Sequence, residues 1–192
     1  MDMRKHLLAI MGSPRKHGRI AEMLKVAVSA AEKAGYITEV YDLYSKNIGY
    51  CTGCMACRRD GVCKISDDLP ELREKLLSCD MVVLAAPTYF ANVPAPVKNL
   101  FDRLAGAVMD DNNGPIPKPR LKKSQRYLLL TACTTPAPFD RFAGQSSGCL
   151  RAMDEFFRTG GMSCAGKIVC AGTRNLNELP AKVERRIERA FR

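Results

Sequence analysis

The chain has no long hydrophobic run: after Met1 to His6 the apolar residues extend only to Met11 before Gly12 intervenes. That is too short for a membrane span or the core of a signal peptide, so a cytoplasmic protein is expected. Acidic charge is scarce, with 20 Asp and Glu against 30 Lys and Arg, a formal net charge of +10. Such an excess attracts anions generally and says nothing about fold. The densest basic stretches, Lys118 to Arg126 and Arg185 to Arg192, lack interleaved aromatics that would stack on bases, so nucleic acid is not the expected partner. There is no G-x-G-x-x-G fingerprint and no G-x-x-x-x-G-K-S/T loop, which argues against a pyrophosphate cradle and against nucleoside triphosphate hydrolysis. Internal repeats and domain boundaries are also lacking, and 192 residues suit a single domain, 1–192.

What is present is an alternation of short apolar runs with helical patterns. Leu7 to Met11, Tyr36 to Leu43, Met81 to Ala86, Tyr127 to Ala132 and Lys167 to Ala171 read as strands. Between them, Ile20, Met23, Leu24, Ala27 and Ala31 recur at helical spacing, and further helices are expected over 69–78, 94–104, 147–158 and 179–192. Asp68 and Glu71 are placed as a capping pair, and Pro94 and Pro96 suit a first helical turn. Five strands alternating with five helices imply an α/β fold with a parallel sheet covered on both faces. In such a doubly wound sheet, ligands gather beyond the carboxyl ends of the strands, where the loops after Met11, Ala86 and Ala132 converge.

The first of these loops, Gly12-Ser13-Pro14-Arg15-Lys16-His17-Gly18-Arg19, delivers the chain to a helix N-terminus. Free N–H groups and the helix dipole favour an anion there. Ser13 can donate a hydroxyl, while Arg15 and Arg19 can neutralise a dianionic phosphomonoester such as that of FMN; His17 is expected to face water. The second loop, Pro87-Thr88-Tyr89-Phe90-Ala91-Asn92-Val93, offers aromatic rings and backbone polar groups where a flat ring could lie. Cys133, at the end of the fourth strand, borders the same place, and Thr134 to Phe139 is read as a closing lid.

Nine cysteines without an export signal read as thiols or metal ligands rather than disulfides. Cys51, Cys54, Cys57 and Cys63 form C-x2-C-x2-C-x5-C. Four thiolates at this density can ligate an iron-sulfur cubane, can take zinc, or can remain metal-free beside a cofactor.

Over nearly its whole length the chain resembles the flavodoxin-like NAD(P)H-dependent FMN reductases and iron-sulfur flavoproteins. Gly12-Ser13-Pro14-Arg15 looks like their phosphate loop, and Pro87-Thr88-Tyr89 with Lys98 and Asp102-Arg103 looks like their ring loop and following helix. The resemblance implies a flavodoxin-like doubly wound sandwich with a five-stranded parallel sheet in the order 2-1-3-4-5. It implies FMN held by Ser13, Arg15, Gly18, Arg19, Ile20, Pro87, Thr88, Tyr89, Phe90, Ala91, Asn92, Val93 and Cys133. NAD(P)H would be the substrate, and a quinone, nitro compound or redox protein the acceptor. The flavin would carry the chemistry, with no catalytic side chain. The Cys51 to Cys63 spacing is similar to that of the iron-sulfur flavoproteins, which implies a possible 4Fe-4S cluster. The alternative is a noncatalytic iron-sulfur flavoprotein electron carrier. Homo-oligomers are expected of such folds, with the basic loop from Pro115 to Lys123 as a contact arm. One departure stands out: the family usually has Gly-Asn-Thr where this chain has Gly18-Arg19-Ile20, which removes one or two phosphate donors while the backbone N–H groups survive and Arg19 adds a cation.

Overall fold

The computed structural model describes residues 4–110 and 116–192, so Pro115, at the start of the expected contact arm, lies outside the described residues. In chain order the elements are β1 (His6–Met11), α1 (Arg19–Lys33), β2 (Ile37–Asp42), α2 (Cys57–Asp60), α3 (Leu69–Ser78), β3 (Met81–Pro87) and α4 (Ala95–Val108). There follow β4 (Met109–Asp110), β5 (Lys118–Pro119), β6 (Arg126–Ala132), α5 (Phe139–Phe142), α6 (Gln145–Thr159), β7 (Ser163–Cys170) and α7 (Ala181–Arg189). Strands β2-β1-β3-β6-β7 form one parallel sheet, the expected order 2-1-3-4-5 once the small antiparallel β4–β5 pair is set aside.

The apolar runs exist because the inner strands are covered on both sides. Met81 to Ala86 of β3 are all buried, and alternate residues feed two separate cores. Val82 and Leu84 pack with Leu72 of α3, Leu100 of α4 and Met153 of α6. Met81, Val83 and Ala85 pack with Met23 and Ala27 of α1 and Ile187 of α7. On the first side the Tyr127 and Phe157 rings stack at 5.1 Å.

Two local expectations need correction. Strand β7 starts at Ser163, four residues before Lys167, because its first half runs along the exposed margin of the sheet past an irregularity in its pairing with β6, where burial leaves no apolar signature. Asp68 is the N-cap of α3 as expected but makes no side-chain cap bond; the first helical N–H, Leu69 N, is taken by Asp67 Oδ1 at 3.0 Å. Asp68 instead accepts from Asn47 N at 2.7 Å, and Glu71 pairs with Lys46 and Lys75.

Candidate active site

β1 ends at Met11, and the chain turns at Gly12, whose N–H bonds to Ala85 O at 2.8 Å. A Cβ at Gly12 would lie 2.7 Å from Val97 Cγ2, so only glycine lets the turn pass this close to α4. Ser13 is buried, and its Oγ accepts from Arg15 N at 3.3 Å, which curls the loop toward α1. Gly18 is the N-cap, extended and without a side-chain cap. The N–H groups of Arg19, Ile20 and Ala21 open the helix ahead of the Glu22 N to Gly18 O bond, a donor array suited to an anion.

The side chains around this array lie in three different settings. Arg15 is exposed at the loop. Arg19 is largely enclosed, paired with Glu22, and donates to Leu176 O at 2.6 Å. It thereby ties the start of α1 to the segment after β7. Ile20 turns its side chain into the core, leaving its backbone at the helix entrance.

At the ring end, Thr88 N bonds to Ala132 O at 3.0 Å, and Tyr89 and Asn92 exchange two backbone hydrogen bonds of 2.9 Å across a tight turn. The turn residues Phe90 and Ala91 have φ of 48° and 59°, left-handed values that side chains disfavour. Phe90 is fully exposed at its tip. The loop is braced from below by α6, where Gly148 touches the Ala91 carbonyl so closely that a Cβ would sit 2.2 Å away.

These loops meet in one cleft of about 610 Å³. Of the expected residues, Ser13, Arg15, Gly18, Arg19, Ile20, Pro87, Thr88, Tyr89 and Cys133 line it. Phe90, Ala91, Asn92 and Val93 do not: Phe90 projects outward, the Asn92 side chain accepts from Val93 N at 2.8 Å, and Val93 is in the core. Thr134, the first residue of the expected lid, and His17 join the lining. The sequence reading passed over Glu22, Thr173 and Asn177. The last two belong to the loop after β7, the last carboxyl-end loop of the sheet, and switch-point reasoning extended by one strand would have reached them. Burial pushes the Cys133 thiol up to about 11, which keeps it protonated beside the cleft.

The cysteine segment lies along a single face of α4. Asn99 Oδ1 accepts from Cys51 N at 3.1 Å, and Arg103 Nε donates to Cys63 Sγ at 3.3 Å. A Cβ on Gly106 would lie 2.3 Å from Cys57 O. Arg103 also makes two hydrogen bonds to Asp67, at 2.7 and 3.1 Å, with both side chains nearly sealed from water. Burial pushes the Asp67 carboxyl up, but the Arg103 guanidinium and the Leu69 and Gly49 N–H groups outweigh it, and the net value falls below the ordinary one. Cys51, Cys54, Cys57 and Cys63 all line one pocket of about 220 Å³, yet among the described residues no three Cys, His, Asp or Glu are gathered as a ligand set. The described residues also contain no helix long and apolar enough to cross a membrane.

Comparison with known proteins bears on this arrangement. An iron-sulfur flavoprotein of Archaeoglobus fulgidus is 41% identical over 97 residues, covering 50% of this chain and 44% of that protein. The chain spans about half the length of the first curated relatives it matches. Among solved structures, the NAD(P)H:quinone oxidoreductase from Methanothermobacter marburgensis superposes with a TM-score of 0.74 at 16% identity, covering 98% of this chain and 96% of that one. An FMN-dependent NADH-azoreductase of Bacillus anthracis in complex with FMN gives a TM-score of 0.71 at 15% identity, with 98% of each chain covered. At these identities the two structures establish a shared flavodoxin-like fold. The family model for NADPH-dependent FMN reductase matches residues 6–115, more than half of the sequence and the stretch carrying two of the four loops that line the cleft, and the chain belongs to that family.

Proposed function

We propose that this chain is an FMN-dependent oxidoreductase that takes reducing equivalents from NAD(P)H and passes them to a quinone, a nitro compound or a redox protein. The observation that carries the reading is the convergence of an anion-binding helix start and the Pro87-Thr88-Tyr89 loop on one cleft of about 610 Å³, a volume ordinary for a cofactor site. The donor chemistry suits FMN. Three N–H groups at the start of α1, with Ser13 and Arg15, match a terminal phosphate, while Pro87, Thr88 and Tyr89 supply a wall of mixed apolar and polar atoms.

When bound, FMN supplies hydride acceptance and electron transfer. The protein contributes placement and electrostatics. Ser13 and the α1 N–H groups fix the phosphate, and Arg15 adds a charge-assisted hydrogen bond. Glu22, paired with Arg19, places a carboxylate near the phosphate end and steers the anion toward Arg15. Pro87, Thr88 and Tyr89 border the ring, and Cys133, as a neutral thiol, adds an uncharged wall.

The test is refolding with excess FMN followed by anaerobic mixing with NADPH. Quenched flavin fluorescence and then prompt bleaching are expected. Unchanged fluorescence would overturn FMN binding, and quenching without bleaching would replace the reductase with an electron carrier.

The carrier reading has one observation in its favour, the four cysteines lining the pocket beside α4, and similar proteins bear the name iron-sulfur flavoprotein. The sulfurs suit iron chemically but, among the described residues, are not arranged as a ligand set. Anaerobic iron and sulfide assay decides it: about four iron atoms per chain supports a 4Fe-4S centre, and a value near zero removes it.

A further inference from the structure

Behind the ring end of the cleft lies a hydrogen-bond array that phosphate and ring binding leave unused. Thr88, on the cleft wall, has its Oγ1 3.0 Å from Thr131 Oγ1. Thr131 Oγ1 lies 3.4 Å from Cys149 Sγ, and Cys149 Sγ lies 3.9 Å from Pro87 O. Thr131 and Cys149 have no exposed surface, so their hydrogens must be placed within the protein. Burial pushes the Cys149 thiol above its ordinary value, so it keeps its hydrogen at neutral pH.

Each of the three groups carries one hydrogen and can accept one. Pointed inward, Thr88 donates to Thr131, Thr131 to Cys149, and Cys149 to the Pro87 carbonyl, so Thr88 turns a lone pair toward the cleft. Pointed outward, Cys149 donates to Thr131 and Thr131 to Thr88, whose own hydrogen then enters the cleft. Both directions keep the two buried hydrogens bonded, and only the long contact to Pro87 is exchanged.

We propose that Thr131 and Cys149 are positioning residues that let the Thr88 hydroxyl serve as donor or acceptor toward the bound ring, reversing together as the ring changes redox state. The inference rests on the FMN reading above. An isoalloxazine edge presents an accepting nitrogen when oxidised and an N–H when reduced, so a fixed donor favours the oxidised form whereas a reversible one serves both.

The test is anaerobic titration of the full chain with oxidised and with reduced FMN, reading the ratio of the two dissociation constants. In Thr131→Val the Thr88 hydrogen has lost its hydroxyl acceptor and keeps behind it only the Cys149 sulfur, a weaker one, so it turns to the cleft. In Cys149→Ala the Thr131 hydrogen can go only to Thr88, which locks the array outward. Both variants should weaken binding of reduced FMN relative to oxidised FMN, by about fivefold. Cys149→Ser, which both donates and accepts, should restore the wild-type ratio. An unchanged ratio in either folded variant overturns the proposal, as does a shift in Cys149→Ala that Cys149→Ser fails to reverse, since that marks a packing effect. If Thr131→Val does not fold, the two Cys149 variants decide alone. Failure of the wild-type chain to bind FMN overturns the functional reading and this inference with it; FMN binding with unmoved ratios overturns this inference only.

Discussion

Replacing Gly148 by alanine offers a test of how the ring loop is held, because it acts on the loop from below. The new Cβ would lie 2.2 Å from the Ala91 carbonyl oxygen and 3.2 Å from its carbonyl carbon. Ordinary contact needs about 3.5 Å, so with 2.2 Å available the carbonyl must withdraw by roughly 1.3 Å. Alanine in a helix gains up to about 1 kcal/mol over glycine, less than the roughly 1–3 kcal/mol that overpacking against a backbone carbonyl costs, so the melting temperature should fall by a few degrees. Binding should not be spared. The turn is tied to Tyr89 through its two hydrogen bonds with Asn92, so a shift of that size would displace Tyr89 and Thr88 on the cleft wall; losing contacts worth about 2 kcal/mol there would make FMN binding roughly thirtyfold weaker. Fluorescence titration with FMN, run beside thermal unfolding, measures both quantities. Ser147→Ala, at an exposed neighbouring position of α6, gains helix propensity without the clash and should bind FMN like the wild type. If Gly148→Ala binds FMN within threefold of the wild type, the idea that α6 sets the height of the ring loop is wrong.

Three further outcomes follow from the structure. Asp67→Asn removes the charge opposite the sealed Arg103 guanidinium and should lower stability by about 3 kcal/mol. Because the folded Asp67 carboxyl sits below its ordinary 3.8, its contribution is present above that value and fades as pH falls through the lower folded one. Denaturant unfolding in acid should therefore show the variant losing less stability on acidification than the wild type. The exposed Cys54 thiol lies below its ordinary value, held by the Ala56 N–H and then by Thr52, whereas burial lifts Cys79 to about 12 and Cys133 to about 11. Brief alkylation near neutral pH, read by peptide mass spectrometry, should label Cys54 before either buried thiol. Changing Phe90-Ala91 to Asn-Gly relieves two left-handed residues at the tip of the ring loop and should stabilise the fold by about 1 kcal/mol in thermal unfolding.

The sheet was legible because its inner strands are buried on both faces, so Met81 to Ala86 and Tyr127 to Ala132 appear as unbroken apolar runs. The early residues of β7 were not, since an exposed margin does not demand apolar side chains. The turn from β1 into α1, with its open helix start, was legible from a strand ending in Gly-Ser-Pro, a purely local pattern. Partner choice was not local. The Arg19 guanidinium goes to a carbonyl 157 positions away, and Arg103 reaches Asp67 across 36, pairings that no spacing rule announces. The Phe90-Ala91 turn was hidden for a different reason: left-handed backbone is signalled by glycine or asparagine, and here neither marks it.

Helix α4 begins directly after the ring loop and carries Asn99, Arg103 and Gly106, each touching a different part of the cysteine segment. The two loops therefore share one rotational phase. Inserting or deleting a single residue between Pro94 and Asn99 would turn everything beyond it by about 100°, swinging the contact face away from Cys51, Cys57 and Cys63 even with every side chain retained. The length of this one helix start is thus as much a part of the site's specification as any residue that lines it.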